Sequence, residues 1–326
     1  MNLKVILILV SLTIISYKNI AQVPDLILND YEHKQILPQL IGCSHSNHYK
    51  NIFSEKLCGT HNYNFDILNY DLFMDWFEVL SGEDTVVATH SYNGLQKIRF
   101  MSKENNLNNI TLDAAYLRIN SIKFNNLIIE NFTQPEENRL TINLPKKLDS
   151  GEVAIVEIDY SYILDFNLGM YVYPKGKVIY GNDTLNNEEK LCYTFSQPEI
   201  ARFWMPCNDN PNEKALVSIA VKVPEKFTVS SNGDLDSVIT QENQNSKSKT
   251  FFWSEKRSPL PSYLMVVHAS VYKMYEDKYI RVSNPLDTVP IYNYVWQKDY
   301  DSKFIDGAVF DAVNSFKPTA DILAGY

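Results

Sequence analysis

The sequence predicts a mainly β fold, and three observations carry that prediction. Between about residue 64 and residue 295, short apolar-alternating segments follow one another, each bounded by Asn, Gly, Pro or Asp. Within that span no stretch keeps a helical period for more than about ten residues. The aromatic content, 21 Tyr and 16 Phe in 326 residues, suits pleated surfaces with one face buried.

"MNLKVILILVSLTIISYKNIAQ" opens with Lys4 and an apolar run from Val5 to Ile15, the length of a signal-peptide core and too short to span a bilayer comfortably. Residues 1–22 are therefore expected to be a signal peptide, and the chain to be exported to a periplasm, a cell surface or the medium, with no stable membrane span. No Cys follows the apolar run to take a bacterial lipid anchor. Residues 23–63 are rich in Asn, Ser and His without apolar periodicity, and read as an irregular leader.

Residues 64–295 then supply the strands. "NFDILNYDLFMDWFEV" comes first, followed by "LQKIRF", "TLDAAYLRINSIKF", "NLIIENF", "RLTINLP" and "EVAIVEIDYSYIL". Later come "ALVSIAVKVP", "FTVSSNG", "KTFFWSEK" and "SYLMVVHASVYKMY". Asn232-Gly233 marks a turn, because both residue types tolerate positive φ. Interior faces are expected from the alternating apolar residues of "AIVEIDYSYI" and "LVSIAVKV". The pattern changes near Asp299. Phe304, Ile305, Ala308, Val309, Val313 and Phe316 recur at helical spacing from about 302 to 316, with Asp301 or Ser302 as cap and Pro318 as stop. This apolar face has little following sequence to cover it. Residues 296–326 read as the start of a second domain, cut short.

Charge narrows the function. The formal net charge is −9, and loss of Lys4 and Lys18 with the signal peptide takes it to −11. No basic cluster stands out, which argues against a nucleic-acid partner. An oxidising compartment permits disulfides. Cys43–Cys58 and Cys192–Cys207 are the simplest pairings, but spacing alone does not establish either. Cys43, His45, His48, Cys58 and His61 form the densest group of metal-ligating residue types, open to a disulfide, a zinc site or plain surface readings. His90 and His268 are isolated strand histidines, more typical of structure than of catalysis. No His-Glu-x-x-His, Gly-x-Ser-x-Gly, phosphate-binding loop or dinucleotide fingerprint occurs.

The densest polar strip is "TFSQPEIARFWMPCNDNP", Thr194–Pro211. On residue chemistry, Arg202 would hold Asp209 or Glu199 through its fork, Trp204 and Met205 would be core, and Asn208–Asn210 would shape a turn. Thr194, Gln197, Arg202, Pro206-Cys207, Asp209, Pro211 and Lys214-Ala215 stand in an order that resembles the amino-terminal β-domain of the M1 zinc aminopeptidases, the gluzincins related to aminopeptidase N and leukotriene A4 hydrolase. "FDILNYDL", "VKVPEKFTVSSNGDL" and "PLPSYLMVVHASVY" are similar to further stretches of that domain, so the resemblance covers about residues 66–326.

The resemblance implies an M1-type saddle-shaped β-sandwich over 64–295, followed by the first helix or helices of a thermolysin-like α/β domain. It implies a zinc-dependent parent that removes amino-terminal residues from peptides. In that family a Glu or Gln holds the substrate's free α-amine, and the position falls on Gln197. The family's neighbouring Gln falls on Phe195, a departure. Glu199, two residues on, would share the face of Gln197 if the segment is a strand, and would compensate as a second substrate-binding group. Arg202, Cys207 and Asp209 are assigned structural roles. The family's zinc ligands and catalytic Glu and Tyr lie beyond residue 326 in family order. This chain on its own is therefore expected to hold no zinc and to be inactive. The rival reading is a noncatalytic β-rich module that binds protein or glycan.

Overall fold

Alternation in the sequence becomes alternation of burial. In the strand Ala215–Pro224, the residues Ala215, Val217, Ile219, Val221 and Val223 are buried and those between them are not. In Val153–Tyr162, Ala154, Val156, Ile158 and Tyr160 turn inward. Both are the stretches expected to supply interior faces. The computed structural model describes residues 63–82, 91–134, 138–163, 167–180, 183–243, 246–281 and 284–301. The signal-peptide segment, the leader up to residue 62, His90 and the helix expected at about 302–316 lie outside the described residues.

Two compact units emerge, one within residues 31–174 and 190–269, the other within residues 1–30, 175–189 and 270–326. The first is built on an eight-stranded sheet. Its strands are β1 (Phe65–Asp75), β2 (Tyr92–Ser102), β4 (Leu117–Phe124), β5 (Leu127–Ile129), β7 (Val153–Tyr162), β12 (Ala215–Pro224), β14 (Asp234–Asn243) and β15 (Ser246–Leu260). The order is β14-β15-β12-β1-β2-β7-β4-β5. Every pairing is antiparallel except β1 with β12, which is parallel. A four-stranded sheet joins β8 (Met170–Tyr173), β11 (Leu191–Thr194), β13 (Thr228–Ser231) and β16 (Val267–Ser270), in the order β13-β16-β11-β8. β3 (Leu107–Asp113) and β6 (Arg139–Leu148) form a further antiparallel pair. Short α1 (Phe77–Ser81) follows β1, with Val79 and Leu80 buried.

One face of the large sheet closes the core. Tyr92 and Tyr160 both donate their hydroxyls to the Trp204 carbonyl, and Tyr70 Oη accepts the Asn208 N–H at 2.9 Å. These three buried tyrosines thus satisfy their hydroxyls on the segment that follows β11. The second unit holds the antiparallel pairs β9 (Gly176–Tyr180) with β10 (Asp183–Asn187) and β17 (Lys273–Ile280) with β18 (Thr288–Val295), then α2 (Gln297–Asp301). No described helix exceeds five residues, and none is long and apolar enough to cross a membrane.

The Cys192–Cys207 pairing does not form. Both thiols are free and buried. Cys192 is held opposite Val172 in the four-stranded sheet, while Cys207 exchanges backbone hydrogen bonds with Asp113 at 2.7 and 2.9 Å. Two separate backbone ladders fix the two residues. Burial raises both thiol pKa values, so neither is a ready nucleophile.

On the four-stranded sheet, partly covered His268 stacks on Tyr193 with ring centroids 5.7 Å apart. Desolvation lowers its pKa to about 4. The unfolded chain takes up this proton near the ordinary histidine value, and the folded chain only near 4. Stability should therefore fall as pH drops through that window, by about 1–3 kcal/mol for this one group. His268→Gln should flatten the urea midpoint between pH 6.5 and 4 relative to wild type. An unchanged pH profile in the variant would refute the assignment.

Candidate functional site

The strip Thr194–Pro211 is built around one cation. Arg202 sits in a short 3₁₀ turn, Ala201–Phe203, and is only 6% exposed. Each nitrogen of its fork meets a different acid. Nε donates to Asp209 Oδ2 at 3.0 Å, Nη2 reaches Glu199 Oε2 at 3.4 Å, and Nη1 lies 3.6 Å from Asp113 Oδ1. The Arg202 backbone N–H also donates to Asp209 Oδ2, at 3.2 Å. Asp209 accepts from Ser262 Oγ at 2.8 Å, and its own N–H donates to Asp113 Oδ2 at 2.9 Å. Asp113 further accepts from the Tyr63 hydroxyl and lies 3.5 Å from Arg139 Nη1.

Burial works against the Arg202 charge, but Asp113 and Asp209 outweigh it and raise the guanidinium pKa. Burial raises the carboxyl pKa of Asp209, against the pull of Arg202. Burial likewise raises that of Glu199, which Arg202 only partly offsets. A cation saturated by three carboxylates has no direction left for a substrate. The cluster is a clasp that ties the strip to β3 and to the turn at Ser262.

Around the clasp the backbone is fixed as well. Trp204 is fully buried and donates its Nε1–H to Ser196 Oγ at 2.8 Å. Phe195 N–H donates to the Gly169 carbonyl at 2.8 Å, and Thr194 Oγ1 accepts from Val267 N–H at 2.9 Å. Ile200 N–H closes a turn onto the Ser196 carbonyl at 2.9 Å.

That turn corrects one premise. Residues 197–200 do not continue the strand, and Gln197 and Glu199 do not share a strand face. The Gln197-Pro198 peptide is cis and the chain turns. Gln197 is exposed, while half-buried Glu199 folds back onto Arg202. Of the five residues singled out, the structure brings Glu199, Arg202 and Asp209 together, buries Cys207 beside them on Asp113, and leaves Gln197 outside the cluster. Asp113, Arg139, Tyr63 and Ser262 were not foreseen. Asp113 stands 96 positions from Asp209 and Ser262 stands 53 from it, so no local pattern links them.

Among the described residues, no group of three or more His, Cys, Asp or Glu side chains is placed to hold a metal ion. They do not fit a zinc site. The Cys43, His45, His48, Cys58 and His61 group lies outside the described residues.

Known proteins place this architecture. Residues 61–264 match the family profile of the Peptidase M1 N-terminal domain. No curated protein sequence matches. An M1 zinc metallopeptidase from Deinococcus radiodurans is similar in structure, with 22% identity and a TM-score of 0.52, over 70% of this chain and 46% of that one. A mutant of the Deinococcus radiodurans enzyme bound to a Tyr-Ser-Ala substrate gives 21% identity and a TM-score of 0.53, over 72% and 48%. Aminopeptidase A of Legionella pneumophila, in complex with aspartic acid, gives 15% and 0.57, over 76% and 26%. At these identities the likeness is one of fold, and this chain spans less than half the length of each. The family profile covers most of the chain, clasp and exposed Gln197 included: this protein belongs to the M1 peptidase N-terminal domain family.

Proposed function

We propose that this chain is the amino-terminal part of an exported zinc-dependent metallo-aminopeptidase, and that the complete protein removes residues from the free amino end of peptides. One observation carries the reading. Of the singled-out residues of the strip, Arg202, Cys207 and Asp209 are buried, Glu199 is half-buried on Arg202, and Gln197 alone is exposed. A side chain that holds a substrate's α-amine must be reachable, and its carbonyl oxygen is an acceptor for an ammonium donor. Glu199, occupied by Arg202, is then a support for the turn.

Zinc belongs to a part of the parent outside the residues described. There it would polarise the scissile carbonyl and activate water. The contribution of this domain is to present one amide on a fixed turn, so that amine recognition needs no ordering of the loop. The apolar run Val5–Ile15, preceded by Lys4, supports export.

The test is an assay of the whole gene product. It should hydrolyse aminoacyl anilides, lose that activity to a chelator, regain it with zinc, and fractionate outside the cytoplasm. A gene that stops at Tyr326, with a product that hydrolyses no aminoacyl substrate, would sink the enzyme reading and favour the binding module.

A further inference from the structure

The second face of the eight-stranded sheet carries an arrangement that the peptidase reading leaves unused. Phe73 on β1, Ala220 on β12 and Phe252 on β15 are in direct register, and Leu95 on β2 pairs with Phe73. Their chain neighbours Leu72, Met74, Ile219, Val221, Phe251 and Trp253 are all buried, so the four point away from the core. They line one shallow groove of about 380 Å³. The result is an apolar strip, one residue wide, running across four strands.

Hydrogen-bonding groups border the strip on both sides. On one flank Lys222 pairs with Asp75 at 2.8 Å. On the other, Asp71 and Ser218 are in register, and Lys97 follows Asp71 on the next strand. Lys97 lies 3.4 Å from Glu157, and Asp236 lies 2.9 Å from Lys256.

We infer that this strip is a carbohydrate-binding groove that takes an extended oligosaccharide lying across the strands. Phe73 and Phe252 stand two strands apart, about 10 Å from the strand spacing, which is close to the length of a disaccharide repeat. Ala220 between them leaves the floor low. A pyranose ring has an apolar C–H face and a rim of hydroxyls. Over this strip the ring faces would lie on the two aromatics while the rims reach Asp71, Ser218 and Lys222.

An extended peptide fits poorly. Laid across the strands, it would leave its backbone N–H and C=O groups over apolar side chains without a ladder to join. A protein partner would need a broader apolar core than a strip one residue wide. The inference is independent of the peptidase reading, because the groove shares no residue with the clasp or Gln197.

The experiment is calorimetric titration of the purified protein with hexasaccharides of β-1,4-linked glucose and of β-1,4-linked N-acetylglucosamine. At least one should bind. Phe73→Ala and Phe252→Ala should each weaken it about tenfold or more, and Phe252→Trp should retain it. Ile155→Ala, exposed on the same face outside the groove, should bind as wild type does. Thermal melts of the variants establish that they are folded. No binding of either probe at millimolar concentration, or folded Phe73→Ala and Phe252→Ala variants that bind like wild type, would overturn the assignment. So would a dimer in solution that Phe252→Ala dissociates, since a second copy would then own the strip.

Discussion

Arg202→Met should lower the unfolding free energy by about 3–5 kcal/mol, read from the urea midpoint at neutral pH. The methionine matches the stem of the arginine but removes all three nitrogens. Asp209, about 2% exposed, would then have no cation, and the equally buried Asp113 would keep only Arg139, 3.5 Å away. Most of the loss is the cost of leaving carboxylates buried and unpaired, rather than the worth of the pair itself. Asp209→Asn in the Arg202→Met background should recover part of it, because one buried charge is gone. Lower pH should also narrow the gap between variant and wild type, since Asp209 already has a raised pKa and would protonate readily once Arg202 is lost. A variant within 1 kcal/mol of wild type would mean that the clasp does not hold the strip.

Gly233→Ala should cost about 2–5 kcal/mol, combining backbone strain with overpacking. Gly233 turns β13 into β14 with φ of +84°, and a Cβ there would come within 2.0 Å of the Ser254 carbonyl oxygen and 2.6 Å of Glu255 N. Both are backbone atoms of β15, and neither can rotate away. Gly151 is the matched control. It has φ of +86° but nothing within 4 Å of an added Cβ, so Gly151→Ala should show the strain alone, about 1 kcal/mol. Equal losses at the two sites would refute the close approach at Ser254.

These two positions also mark how far the sequence could be read. Asn232-Gly233 announces a turn by its dipeptide, and the strands around it announce themselves by period, because both signals are local. The parallel pairing of β1 with β12 is not local: Asn69 lies opposite Leu216, and nothing in "FDILNYDL" distinguishes a parallel neighbour from an antiparallel one. The clasp divides in the same way. Glu199, Arg202 and Asp209 fall within eleven residues and could be paired on charge alone. Asp113 and Ser262 come from other elements and are visible only once the sheets have formed. The strand reading of 197–199 failed because the Ile200 N–H closes a turn onto the Ser196 carbonyl, which brings Glu199 back to Arg202. The Cys192–Cys207 pairing failed because equal spacing carries no information about which sheet each cysteine enters.

We propose one role for the tied-down strip, to present the Gln197 amide to a substrate amine. Its most direct test is kcat/KM of the whole gene product and its Gln197→Ala variant on an aminoacyl anilide, with zinc content measured alongside. Loss of one hydrogen bond to a charged donor should lower kcat/KM by about 1–3 kcal/mol, or roughly 5- to 150-fold. Zinc content and thermal stability should be unchanged, because Gln197 is exposed and lies outside the clasp. Wild-type kinetics in the variant, or a fall in activity that merely tracks lost zinc, would remove Gln197 from amine recognition.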